Sequence, residues 1–329
     1  MNFRSCFKLK YFIIAGLTLI VLIFPLILSP FRLNLAIEML IFSLFATSFN
    51  LLYRYSGLLP FGHGAFFGIG GYVTALLFNH LAHIPLLLTL SIAAIAGLVA
   101  GVFIGLFCIR LKGAYFAFIS LAFQMFLYTL AFSWRTLTGG DDGMGVTRPD
   151  LDLPFLSKIS MMDEGNIYWF ILVIVILGIV ACYFFLETPI ANSIVCVREN
   201  EIRASFLGYD PFLTKLVNFS LASFLAALSG SLFVFFEKFI GTSSMNLDMS
   251  LTVVLMTVIG GSGHFLGPAL GASLYILVQD WISNLTDRSW LIMGILFVFV
   301  VLYLRGGVIS LFQSEKMGKI RLLIRGRGN

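Results

Sequence analysis

The sequence predicts an all-α polytopic membrane protein of about ten transmembrane helices with both termini cytoplasmic, and three observations predict it. Hydrophobic residues make up 59% of the chain and charged residues only 11%, against about 25% charged in ordinary soluble domains; mean hydropathy is +0.99. Apolar runs able to cross a hydrocarbon core about 30 Å thick recur along the whole length. None shows the alternation of a lipid-facing strand, and a backbone that must satisfy itself in lipid makes such runs helices. Finally, Lys and Arg concentrate in alternate loops.

Ten spans follow in order: 11–29, 33–53, 57–79, 84–108, 114–133, 167–186, 213–236, 245–262, 265–283 and 289–304. The first exceeds the roughly 7–15 apolar residues of a signal peptide and lacks a small-residue cleavage site at Ile27–Pro30, so it is expected to stay as a span. The second ends at Arg54. The third and fourth carry Gly64, Gly68, Gly70 and Gly71, then Gly97, Gly101 and Gly105; such spacing reads either as close packing or as broken helices exposing backbone to a polar pathway. The fifth follows Arg110 and Lys112 and contains Ser120 and Gln124. A net acidic loop, 134–166, precedes the sixth, and a charged loop, 187–212, separates it from the seventh. The eighth and ninth join at Gly260–Gly263, as two full spans or with a re-entrant turn. The tenth leads into a basic tail.

With ten crossings, Arg4, Lys8, Lys10, Arg54, Arg110, Lys112, Arg198, Arg203 and the tail cations Arg305, Lys316, Lys319, Arg321, Arg325 and Arg327 share one side. Arg135, Arg148, Lys158, Lys238 and Arg288 fall opposite. By the positive-inside rule the first side is cytoplasmic. The chain thus divides into a cytoplasmic N-terminus (1–10), one transmembrane domain (11–305) and a basic tail (306–329), read as a solvated end beside anionic lipid. Nucleic-acid binding is not expected.

Missing motifs narrow the function. There is no G-x-x-x-x-G-K-[ST] phosphate loop, H-E-x-x-H, C-x-x-C or G-x-S-x-G. Of the histidines His63, His80, His83 and His264, His80 and His83 share an outward loop, where a metal site is weighed against a plain interfacial turn; no metal is expected. Cys6, Cys108, Cys182 and Cys196 lack metal-ligand spacing and read as reduced packing residues. Glu38, Glu237, Lys238, Asp248 and Asp280 sit near span ends, leaving only Asn50, Gln124 and Asn218 in or near membrane depth. Ion-coupled carriers keep intramembrane charges, so proton or sodium coupling is not favoured.

The loop 187–212 holds Arg198, Glu199, Glu201 and Arg203 in a chain otherwise poor in charge. Thr188 suits an N-cap and Pro189 the first turn; a helix from about Pro189 to Leu207 is expected to stop at Gly208, with Pro211 beyond. Ile194, Val195, Ile202, Phe206 and Leu207 recur at helical spacing. Two readings fit: a helix gripped by a soluble partner, or one lying in the headgroups.

Five blocks then resemble permeases of ABC importers in the branched-chain amino-acid class, the LivM/LivH type, nearest the LivM half. Arg198–Glu201 with Ala204, Gly208 and Lys215 is similar to a looser form of that family's coupling loop, with Glu199 and Glu201 departing from the stricter pattern. Asn50–Leu52 with Gly57–Tyr72 is similar to its most recognisable block, Pro60 standing where Ser is common. Leu111–Ala117, Thr138–Met144 and Gly260–Ala272 are similar to three more, and the resemblance covers roughly 34–305. It implies an ABC-importer permease architecture and ATPase coupling through Arg198, Glu199, Glu201, Arg203, Ala204 and Gly208. For the substrate pathway, Asn50, His63, Phe66, Phe67, Ser120 and Gln124 are the candidates. The net acidic outward loop 134–166, which contains Thr138, Gly139, Gly140, Asp141, Asp142 and Gly143, reads either as a docking face for an extracytoplasmic binding protein or as a solvated connector. The implied partners are a second homologous permease, two cytoplasmic ATPases and that binding protein, in a bacterial inner membrane. This chain itself is expected to bind no cofactor and to carry no enzyme site, ATP being used by its partners. Urea or short amides stand as alternative substrates. An ion-coupled carrier or a membrane-embedded enzyme stands as another class.

Overall fold

The computed structural model describes residues 29–81, 84–150, 160–286, 288–303 and 306–309. Residues 11–28 of the first predicted span, the N-terminus with Cys6, His83, Lys158, Arg305 and the tail from residue 310 lie outside them. Nine of the predicted spans contain helices: α1 (Pro30–Asn50), α2 (His63–His80), α3 (Leu86–Cys108), α4 (Ala114–Ser133), α6 (Glu164–Leu186), α9 (Pro211–Glu237), α10 (Leu247–Gly260), α11 (Gly267–Ser283) and α12 (Ser289–Tyr303). Between them lie short α5 (Arg135–Thr138), α7 (Pro189–Glu199) and α8 (Glu201–Phe206). Five are long and apolar enough to cross a membrane: α1 with its continuation to Ser56, α3, α4, α6 and α9.

Three boundaries correct the sequence reading. Span 57–79 starts as helix only at His63; Gly57–Gly62 is a non-helical ascent that follows a π-helical turn, Leu51–Ser56, and begins with Gly57 at φ +67°. Span 245–262 is a helix of 14 residues, about 21 Å at 1.5 Å per residue, too short for a full crossing. It and α11 form a packed hairpin through Gly261–Leu266. The expected continuous helix 189–207 is broken at Asn200, whose extended backbone (φ −160°, ψ 105°) ends α7 and opens α8.

The core follows side-chain size. α9 packs along α2, α3 and α1, while α1 also carries α6 and α11. Where α2 crosses α9 the backbones touch: a Cβ on Gly70 would lie 1.9 Å from the Ala227 carbonyl oxygen, and one on Gly230 would lie 1.9 Å from that of Phe67. Gly97 and Gly101 of α3 leave room for the small side chains of Ala227 and Ser223 of α9, whose Cβ atoms would lie 2.1 and 2.6 Å from an added Cβ. For these glycines the close-packing reading holds. Phenylalanines fill the space beside them, Phe67 lying 4.8 Å from Phe45 and 5.4 Å from Phe233 between ring centroids.

Charge is sorted between two faces. Arg54, Lys112, Arg198 and Lys215 meet at one end of the bundle, with the Gly263 turn beside Arg54. Arg148 and Lys238 lie at the other, where they line a cavity of about 520 Å³ with Glu38, Glu164, Glu237 and Asp280. There β1 (Met144–Gly145) pairs antiparallel with β2 (Phe239–Ile240).

Candidate functional site

The loop between α6 and α9 is built as a bracket. Thr188 Oγ1 accepts from Ala191 N at 3.4 Å and Pro189 fills the first turn, as expected. Asn200 Oδ1 accepts from Arg203 N at 2.9 Å to start α8, and Gly208 leaves it at φ +88°. Asp210 caps α9 by accepting from Phe212 N at 2.8 Å. The apolar stripe divides at the break. Ile194, Val197 and Ala204 are buried against the bundle, whereas Ile202, Phe206 and Leu207 are exposed at 69%, 86% and 72%.

Two of its charges, Glu201 and Arg198, bind the bracket to the spans. Glu201 pairs with Lys112 Nζ at 2.5 Å and with Lys215, joining the ends of α3, α8 and α9. Partial burial opposes ionisation of Glu201, but the two ammoniums outweigh it and hold the carboxyl below its ordinary range. Arg198 pairs with Glu199 and donates to the Arg54 carbonyl within the π-helical turn. The same turn is held from α9, where Asn218 Nδ2 donates to Leu51 O at 2.7 Å and to Ser56 Oγ at 2.6 Å. Arg203 is exposed on α8. Cys196 is exposed rather than a packing residue, while Cys108 and Cys182 are buried.

A second group gathers at mid-height. Gln124 is the eleventh of 20 residues in α4. Its Nε2 donates to Asn246 O at 2.7 Å and Met245 O at 3.1 Å, and its Oε1 accepts from Ser250 Oγ at 2.6 Å. Ser250 Oγ in turn accepts from Gly64 N at 2.8 Å, satisfying one of the orphan amides at the start of α2. His63 Nε2 lies 2.9 Å from Ser48 Oγ, its ring stacked on Phe45 with Phe49 and Phe66 at its edges. Thus the first residues of α2 and α10 converge beside Gln124. Ser120 turns its hydroxyl to Ala117 O, and only its backbone meets this group, with Gly62 packed on its carbonyl. Phe66 and Phe67 are core residues, and Asn50 is buried one residue before the π-helical turn. Among the described residues, Asn50 Oδ1, His63 Nδ1 and Asn218 Oδ1 are buried without a protein partner.

Sequence reasoning missed Ser250 and set Asp248 near a span end. α10 starts at the height of Gln124, so Asp248 lies at membrane depth and is exposed there. The shortness of the apolar run after Asp248 was the available signal.

At the opposite face the Gly-rich loop is shaped by its backbone. Thr138 Oγ1 donates to Ala131 O at 2.5 Å, and Gly139, Gly140 and Gly143 have φ between +62° and +74°. A Cβ on Gly143 would come within 2.5 Å of Ile240 O, so this residue lets the loop close on β2. Arg148 fastens the next stretch by donating to Phe235 O, Phe236 O and Met161 O at 2.9, 2.6 and 3.1 Å. Asp141 and Asp142 project exposed from this frame.

A family model described as "Branched-chain amino acid transport system / permease component" matches residues 31–301. The chain is similar to the high-affinity branched-chain amino acid transport system permease protein LivM of Escherichia coli K12, at 27% identity over 94% of this chain and 77% of that protein. The LivM of Salmonella typhimurium LT2 is 26% identical over the same shares. A probable branched-chain amino acid transport permease protein LivM of Methanocaldococcus jannaschii is 25% identical over 74% of this chain and 77% of its own length. No solved structure matches the chain.

Proposed function

We propose, because this chain belongs to the family of branched-chain amino acid transport permease components, that it is the transmembrane subunit of an ATP-driven importer for hydrophobic amino acids. It pairs with a second, homologous permease in a bacterial plasma membrane. Two cytoplasmic ATPases drive the pair, and an extracytoplasmic binding protein supplies it. The face carrying Arg54, Lys112 and Arg198 is the cytoplasmic one, as its excess of cations favours.

The observation that carries this reading is the bracket: α7 and α8 are fixed to three span ends through Glu201 and Arg198 yet hold out Ile202, Phe206 and Leu207. A helix clamped inward and apolar outward moves the spans when a partner moves it. Through Arg198 that movement reaches the π-helical turn, and through Lys215 it reaches α9. The substrate path runs past the mid-height group, where His63 Nδ1 and Asn50 Oδ1 are buried without a protein partner. The exposed Asp141 and Asp142 meet the binding protein.

The test uses the tagged chain expressed with its genomic neighbours. Two ATPases and a second permease should co-purify with the wild type, and Phe206→Asp should lose the ATPases while inserting normally. Undiminished ATPase recovery with Phe206→Asp would remove the coupling role of α8, and ATP-independent transport by the isolated chain would overturn the importer reading.

A further inference from the structure

Asp248 stands where a charge is expensive. It lies on α10 two residues past Asn246, whose carbonyl accepts from Gln124 at the middle of α4. Gln124 is about 15 Å from either end of that helix at about 1.5 Å per residue. A second ruler agrees: Asp248 precedes Gly260, the end of α10 near the Arg54 face, by 12 residues, or about 18 Å. Asp248 is therefore near the midplane of a core about 30 Å thick.

Its side chain is nonetheless exposed on the outside of this subunit. The neighbouring polar group is Asn246, whose Nδ2 donates to Asp248 Oδ2 at 3.2 Å, and Ser243 beside them is also exposed. Leu251 continues the exposed stripe one turn along α10. Phe126, at nearly the same height on α4, opens onto the groove between Thr129, Leu130, Ser133 and Trp134, a surface without charge. Acyl chains do not tolerate a bare carboxylate at this depth, and such residues face water, a cavity or another subunit. The bundle thus has one side on which lipid cannot be the neighbour.

We propose that this side of α10 lines the transport path, closed on its far side by the second permease, and that Asp248 receives the ammonium group of the passing amino acid. The inference rests on the importer reading and deepens it: one carboxylate, presented by a short helix at mid-depth, gives a zwitterion a partner for its positive end. Gln124 and Asn246 brace the start of that helix, so Asp248 is held by the scaffold rather than by a loop.

The experiment is cysteine substitution at positions 248 and 126, each in a chain whose other cysteines are replaced, in the complex with its permease partner, ATPases and binding protein. Asp248→Cys should react with a cationic, water-soluble methanethiosulfonate, and leucine-loaded binding protein should slow that reaction. Phe126→Cys should react only with a lipid-soluble maleimide. In parallel, Asp248→Asn should lower leucine uptake roughly ten- to hundredfold, the scale of a lost hydrogen bond to charge, with ATPases still co-purifying, and Asp248→Glu should retain more uptake than Asp248→Asn. Reaction of residue 248 with the lipid-soluble reagent alone, its protection in every state, or wild-type uptake by Asp248→Asn would overturn the proposal. If no ATPase co-purifies even with the wild type, the importer reading itself fails, and the proposal fails with it.

Discussion

At the scale of single residues, Glu201 shows how a charge in a sparse field acquires a task. Its partner Lys215 is buried, and Lys112 is mostly exposed, so the Lys215 pair carries most of the strength. An exposed pair contributes about 0–1 kcal/mol, whereas a charged hydrogen bond to a shielded ammonium contributes about 1.5–3 kcal/mol. Glu201→Gln should therefore loosen α8 from α9 and raise amide hydrogen exchange across 200–210, with little change in α4. The carboxyl is held below its ordinary value near 4.5. Its stabilisation is thus complete at neutral pH and is lost only as pH falls through and below the carboxylate range. Proteolysis of the loop in acidified proteoliposomes measures this, and wild-type loop protection at low pH would contradict it. The sequence made the four loop charges conspicuous, but not their partners. Lys112 and Lys215 reach Glu201 from different connections, and only the packing of α3 and α9 brings those together.

At the scale of elements, apolar length located nine helices and could not say where each begins in depth. Residues 245–262 read as a span because their composition is apolar; nothing in it records that Lys238–Asn246 has already descended from the far face to Gln124. The break at Asn200 was equally hidden, since helical periodicity continues through it; the extended Asn200 backbone ends α7 and its side chain, accepting from Arg203 N, starts α8. Glycine spacing was more telling: of its two readings, close packing and broken helices, the structure shows close packing at Gly70, Gly97 and Gly101. Gly230→Ala should meet the Phe67 carbonyl and cost about 1–3 kcal/mol or more as overpacking. Thermal unfolding of the detergent-solubilised complex checks it; an unchanged midpoint would mean that α2 and α9 separate easily. The same substitution at Gly145, which has open space around it, should be close to neutral.

At the scale of the molecule, the charge asymmetry on which the expected orientation rests is visible in the sequence, and the described charges gather at two distinct ends. Cys196 offers a direct check, being exposed on the loop beside Arg198 while Cys108 and Cys182 are buried. With Cys6 replaced by Ser, a membrane-impermeant maleimide should label Cys196 in inside-out vesicles and not in intact cells. Labelling from the outside would invert the topology. The candidate substrate region was only half legible for a related reason. Polar residues at membrane depth could be counted one by one, but the meeting of two helix starts beside Gln124 belongs to the assembled bundle.

The backbone contact between α2 and α9 also bears on how the protein is made. α2 is 18 residues long and is outside the set apolar enough to cross a membrane unaided, and the helix that covers its glycine face is synthesised long after it leaves the ribosome. Until α9 arrives, α2 has no permanent neighbour for that face. Biogenesis must therefore shelter it, and a nascent chain truncated before Pro211 should remain with the insertion machinery or be degraded.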